Sequence, residues 1–230
     1  MAHRLSFRLV TGLALAAAIA LAALQAPRVI RLPAESFFPS SWITHSVMLT
    51  LSLAAMWLLS RGRLALFGFT LGTFRFSPRI LLWAVPTAVL SLLAMVASGG
   101  AQGRAGPAAN FTKLQIVVFV WVYASICEEV LTRGLLQTLL GGNSDPRVSG
   151  SRRLSLPVVV SGVFFGLMHI VLIRSMGAAA GPLIVLTILL GLVAARYRER
   201  TGSLLPAVII HALFNIGGML PVWVVHWLRG

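Results

Sequence analysis

Apolar residues fall in seven runs along the chain, at roughly 9–26, 42–59, 80–98, 114–140, 156–174, 177–195 and 204–220, with short polar connections between them. Each run is close to the ~20 residues that a helix needs to cross the hydrocarbon core of a bilayer. A lipid-exposed backbone must satisfy its own hydrogen bonds, so such runs read as helices. The pattern predicts an all-α, polytopic transmembrane helix bundle of about seven spans, with six to eight compatible with the boundaries. The fifth and sixth runs are nearly continuous. The seventh is either one tilted helix or a helix followed by a short broken piece at Pro221. No repeat of 20–50 residues and no long disordered linker interrupts the series. Three parts follow: residues 1–113, holding three spans and a loop at 60–79; a core at 114–220; and a tail at 221–230.

Composition supports the bilayer as solvent. Hydrophobic residues make up 58% of the 230 and charged residues only 10%, against about a quarter in soluble domains. The net charge of +14 would suggest nucleic acid in a soluble protein. Here the basic residues sit between the apolar runs, where they act as topology signals and contacts to anionic head groups. Counted on alternate sides, Lys plus Arg number 12 against 6. The positive-inside rule then puts the N-terminus in the cytoplasm and the C-terminus outside. An eighth span near the end would reverse only the second of these. The N-terminal run resembles a signal peptide, but its 18 residues and the following Pro27 favour an uncleaved first span. With one cysteine, Cys127, no intramolecular disulfide can form. Trp42, Trp57, Trp83, Trp223 and Trp227 lie near run ends and read as interface anchors. The segment from Gly62 to Arg79 mixes aromatic and basic residues and reads as a connection lying on the head groups.

The acidic residues change the picture. There are five, and two of them, Glu128 and Glu129, are adjacent inside the fourth run. A charge at mid-helix costs about 2.5–3.5 kcal/mol on insertion scales, and an intramembrane ionisable residue is a functional hypothesis by default. Glu129 and Arg133 stand i, i+4 and can pair on one helix face. Glu128 points about 100° away and must find its partner on another helix or hold a proton. His169 and His211 lie within the fifth and seventh runs, and Asn215 shares a face with His211. By residue count all four groups reach roughly 10–20 Å from the cytoplasmic ends of their spans. A Glu with two imidazoles is a plausible Zn2+ set with room for water: Glu128, His169 and His211. A metal-free alternative has Glu128 activating water while His and Asn stabilise an oxyanion. His3, His45 and His226 lie near the terminus or at span ends and read as inert or interfacial. Cys127 reads as a packing residue. Ser161 with a distant His would leave Glu128 unexplained.

Three motifs now stand in order: EEVLTR at 128–133 fits EExxxR, Phe165 to His169 fits FxxxH, and HALFN at 211–215 fits HxxxN. Together they resemble the CPBP family of intramembrane proteases, which includes type II CAAX prenyl endopeptidases and bacteriocin-processing or immunity-type relatives. The resemblance covers about 114–220. It implies Glu128 as the water-activating carboxylate, with Glu129 and Arg133 beside it. His169 and His211 become metal or oxyanion partners, and Asn215 an oxyanion stabiliser. A divalent metal, Zn2+ first, is the implied cofactor, and a peptide or membrane protein near the cytoplasmic face the implied substrate. The Ala-, Leu-, Gly- and Arg-rich, Lys-poor composition suggests a bacterial inner membrane. The competing classes are a proton-coupled transporter, which would show inverted repeats and broken helices in matching halves, and a catalytically silent scaffold.

Overall fold

The structure is a computed structural model that describes residues 2–33, 35–97, 110–141 and 154–229. Among the described residues there are helices and no strands. The seven apolar runs become seven helices: α1 (Ala2–Val29), α2 (Ser40–Ser60), α3 (Val85–Ala97), α4 (Lys113–Leu139), α5 (Leu156–Met176), α6 (Ala180–Thr201) and α7 (Leu205–Arg229). Five contain runs long and apolar enough to cross a membrane, while Pro78–Leu93 and Leu205–Leu220 are apolar but shorter. The third run starts with a 3-10 segment, Pro78–Ala84, ahead of α3. The sixth helix extends to Thr201, so Arg196, Arg198 and Arg200 lie on it and not in a loop. The seventh continues through Pro221 to Arg229 as a single helix. Arg104, Asp145, Arg147, Arg152 and Arg153, and the side chains of His3, His226 and Trp227, lie outside the described residues.

α4 is the axis of the bundle. It packs against α1, α2, α5, α6 and α7, and every residue from Glu129 to Gln137 is buried. A helix buried all round belongs to the core. Its winding loosens twice: π segments at Ile116–Ala124 and Val130–Leu136 flank an α segment, Ser125–Glu129, that ends on the two glutamates. π segments inside α-helices frequently accompany functional sites. Met56 of α2 and Ala16, Ala20 and Ala23 of α1 join Leu131, Leu135 and Leu136 of α4 in the main apolar cluster. Leu58, Leu93, Val96 and Val185 are among the large apolar side chains left exposed. In water such a surface would be an aggregation liability; in a bilayer it is the lipid-facing side.

Glycine sets the closest helix approach. A Cβ on Gly162 of α5 would stand 2.8 Å from the backbone nitrogen of Leu192, and one on Gly166 would stand 3.1 Å from the Cα of Ile188. α5 and α6 therefore meet backbone to backbone, antiparallel, through a GxxxG spacing. At the opposite side of α7, Thr87 donates to the Phe214 carbonyl at 2.7 Å, fixing α3 against α7. The segment after α2 is tied to the α6–α7 turn. Thr73 N donates to Thr201 O at 2.9 Å, and Leu204 N donates to Gly68 O at 2.9 Å. The close approach at Gly72 requires glycine, because its φ is +55° and a Cβ would meet Thr201 O at 1.9 Å.

Candidate functional site: a carboxylate among three imidazoles

Glu128 faces inward from α4 with its side chain 13% exposed. Its Oε1 lies 3.2 Å from His45 Nε2 of α2. Its Oε2 lies 3.7 Å from His169 Nε2 of α5 and 3.9 Å from His211 Nε2 of α7. Four helices thus deliver four ionisable groups to one point. Glu128 stands roughly 16 Å from the Leu139 end of α4, and His169 roughly 20 Å from the Leu156 end of α5, at 1.5 Å per residue.

Glu129 turns away, as the helical period predicts. It accepts from Arg133 Nη1 at 3.0 Å and from His211 Nδ1 at 3.0 Å, both at Oε1. Arg133 and Glu129 are fully buried. Arg133 also donates to Gly191 O at 2.9 Å and lies over the Phe165 ring, 4.5 Å from its centroid. The glycine-spaced approach of α5 and α6 brings that carbonyl within reach: a Cβ on Gly191 would lie 2.5 Å from Gly162 O and 3.1 Å from Arg133 Nη2. Phe165 also packs on both neighbouring imidazoles, at 4.8 Å from His169 and 5.2 Å from His211.

The ring nitrogens are assigned by their partners. His45 Nδ1 meets Ser41 O at 2.7 Å, and His169 Nδ1 meets Phe165 O at 2.9 Å. A carbonyl only accepts, so both Nδ1 atoms donate. His211 Nδ1 donates to the Glu129 carboxylate in the same way. Each Nε2 is therefore left to face Glu128 as an acceptor whenever its ring is neutral. Three such nitrogens beside one carboxylate suit an occupant that brings protons or positive charge.

The Zn2+ expectation can be tested on this donor set. Glu128 Oε2 is buried and takes no hydrogen bond, and the two Nδ1 contacts are the outer partners that orient metal-binding imidazoles. Ligands of a tetrahedral zinc stand about 3.3 Å apart, whereas the Nε2–Oε2 separations are 3.7 and 3.9 Å. The donors fit in kind and in direction. Among the described residues, however, no group of three is gathered closely enough to chelate an ion as it stands.

Asn215 is hydrogen-bonded to α4 about one and two turns before Glu128. Its Nδ2 donates to Val120 O at 3.1 Å and Ser125 Oγ at 3.2 Å, pinning α7 to α4 beside the centre. Cys127 is fully buried, and Ser161 is buried and donates to Thr132 O. His45, read from sequence as interfacial, is the residue that sequence reasoning missed. Its signal was its place a turn and a half into α2, deep enough to leave the head-group region. A cavity of about 490 Å³ opens at that end of α2, with Ser40, Ile43 and Arg31 in its wall.

A polytopic helical membrane protein with a buried carboxylate–imidazole centre is the class that this fold and site define. Residues 110–217 match the family model for type II CAAX prenyl endopeptidase, Rce1-like. That stretch is similar to Rce1-like CAAX endopeptidases, in agreement with the three motifs. It contains Glu128, Glu129, Arg133, His169, His211 and Asn215 but not His45. No curated protein and no solved structure matches the chain.

Proposed function

We propose that the chain is an intramembrane endopeptidase in which Glu128 activates the attacking water. The observation that carries this reading is the convergence of His45, His169 and His211 on the Glu128 carboxylate. A water held at Oε2 gives a proton to Glu128 as its oxygen attacks the scissile carbonyl. Glu128 then passes that proton to the departing amine nitrogen when the C–N bond breaks. Glu129 and Arg133 hold His211 in place from behind. Glu128, His169 and His211 are the residues that would hold a divalent metal. Such an ion, when bound, would lower the pKa of bound water and polarise the carbonyl. Asn215 acts by fixing α7 on α4. The substrate is a peptide or membrane protein, cleaved toward the side carrying the excess arginine, which the positive-inside rule makes cytoplasmic. The family description adds a prenylated C-terminal peptide to the substrates worth testing.

The test is cleavage in proteoliposomes of a peptide library that includes prenylated CAAX peptides. Wild type is compared with Glu128→Gln and His211→Ala. Cleavage by wild type with loss of at least about 100-fold in Glu128→Gln is expected for removal of a general base. Equal rates for all three, or no cleavage of any peptide, would sink the reading. Chelation followed by added zinc separates the metal-dependent from the metal-free mechanism.

A further inference from the structure

His45 comes from α2, more than sixty residues before the stretch that matches the family. Its Nε2 is nevertheless the nearest imidazole nitrogen to Glu128, 3.2 Å from Oε1 against 3.7 and 3.9 Å for the other two to Oε2. Its ring cannot turn freely, because Nδ1 is bonded to Ser41 O one helical turn back. The ring also stands edge-on to Tyr123 of α4. With Nδ1 donating to Ser41 O, Nε2 holds the ionised Oε1 as the N–H of the imidazolium, and this bond from the α2 side fixes the carboxylate rotation. Oε2 is thereby presented to His169 and His211, where the reacting water must sit.

A rival explanation is that His45 merely glues α2 to α4, as polar side chains do between membrane helices. The structure supplies that glue separately. Ser46 and Tyr123 share a hydrogen bond at 2.8 Å, one residue along α2. Met48 and Met56 of α2 are buried in the apolar cluster shared with α4. Docking α2 therefore does not require a histidine at 45, and an imidazole placed against a carboxylate there has a different use.

We infer that His45 is a positioning residue for the hydrolysis, holding Glu128 in the rotamer that aims Oε2 at the water. This rests on Glu128 being the water-activating group. It extends the working site beyond the family-matched half of the chain to α2.

The test uses full-length protein in proteoliposomes and a peptide that wild type cleaves. Four variants are compared: His45→Ala, His45→Gln, Ser46→Ala and Glu128→Gln. Removing an outer partner of this kind typically costs about 10–100-fold in activity. His45→Ala should lose that much in kcat with KM nearly unchanged. His45→Gln, which keeps an N–H within reach of Oε1, should recover most of the loss. Ser46→Ala should cleave like wild type. Thermal unfolding in detergent checks that each variant is folded. If Glu128→Gln is inactive but His45→Ala keeps the wild-type kcat, the inference about His45 is wrong and the reading of Glu128 stands. If Ser46→Ala falls as far as His45→Ala, or Gln does no better than Ala, His45 only docks α2 and the inference is overturned. If Glu128→Gln cleaves normally, the proteolytic mechanism fails and takes this inference with it.

Discussion

At the scale of residues, the adjacent glutamates do different work because one of them has a cation on its own helix. Glu129 is fully buried with Arg133 at 3.0 Å. A buried pair of this kind adds little net stability, yet removing one partner strands the other at a cost of about 3–5 kcal/mol. Glu129→Leu should therefore destabilise the bundle by roughly that amount in detergent unfolding, while Glu129→Leu combined with Arg133→Met should recover much of it. A double variant less stable than the single would refute this account. Phe165 invites a second prediction. The bond to His169 Nδ1 comes from the carbonyl of residue 165, which any residue supplies; only the ring can lie under Arg133 and beside both imidazoles. Phe165→Leu should keep the fold but lose about 1–2 kcal/mol from the desolvated cation–π contact. Its cleavage rate should fall as Arg133 and His211 loosen. An unchanged melting temperature would exclude a contribution from the ring. The Glu129–Arg133 pair was legible in the sequence because i, i+4 spacing is local. The His45–Glu128 contact spans 83 positions, so beyond the depth of His45 within α2 nothing in the sequence pointed to its partner.

Helix existence was legible in hydropathy, and so were most boundaries, because apolar length is the property the bilayer selects. What hydropathy does not encode is winding and approach. The π segments on either side of Ser125–Glu129 have the same apolar composition as an α-helix, so the sequence offers no sign of them. The α5–α6 contact did leave a sign, since Gly162 and Gly166 are four residues apart. It matters to the site, because α5 carries Phe165 and His169 while α6 offers the Gly191 carbonyl to Arg133. Gly162→Ala would push a methyl group against the Leu192 backbone at 2.8 Å. Overpacking against backbone costs about 1–3 kcal/mol, so this variant should melt lower and cleave more slowly. Gly181→Ala, with nothing within 4 Å of the added carbon, is the control and should match wild type. Equal melting of the two would mean that the close approach carries no load.

Across the whole molecule, two ties between distant connections fix the parity of the crossings. Gln115 Nε2 at the start of α4 donates to Phe37 O in the α1–α2 connection at 2.8 Å, so those two ends lie at the same level. The segment after α2 is bonded to the α6–α7 turn through Thr73–Thr201 and Leu204–Gly68, so these ends also coincide. An even number of crossings separates each pair: α2 and α3 in the first, α3 to α6 in the second. Alternate crossing through α2–α6 satisfies both, which is the arrangement that the count of 12 against 6 basic residues assumes. The positive-inside rule predicts a bundle with the Gly62–Arg79 segment in the cytoplasm. Orientation can be read with single cysteines, because the native Cys127 is fully buried and can be replaced by alanine. Cysteines at Leu71, 68% exposed, and Ile30, 49% exposed, report the two faces. In intact cells expressing the protein, a membrane-impermeant maleimide should label Ile30→Cys at once and Leu71→Cys only after permeabilisation. The reverse pattern would put the arginine-rich face outside and cleavage with it. Labelling of both in intact cells would mean that α2 does not separate them and, through the Gln115–Phe37 tie, that α3 is not a full crossing either.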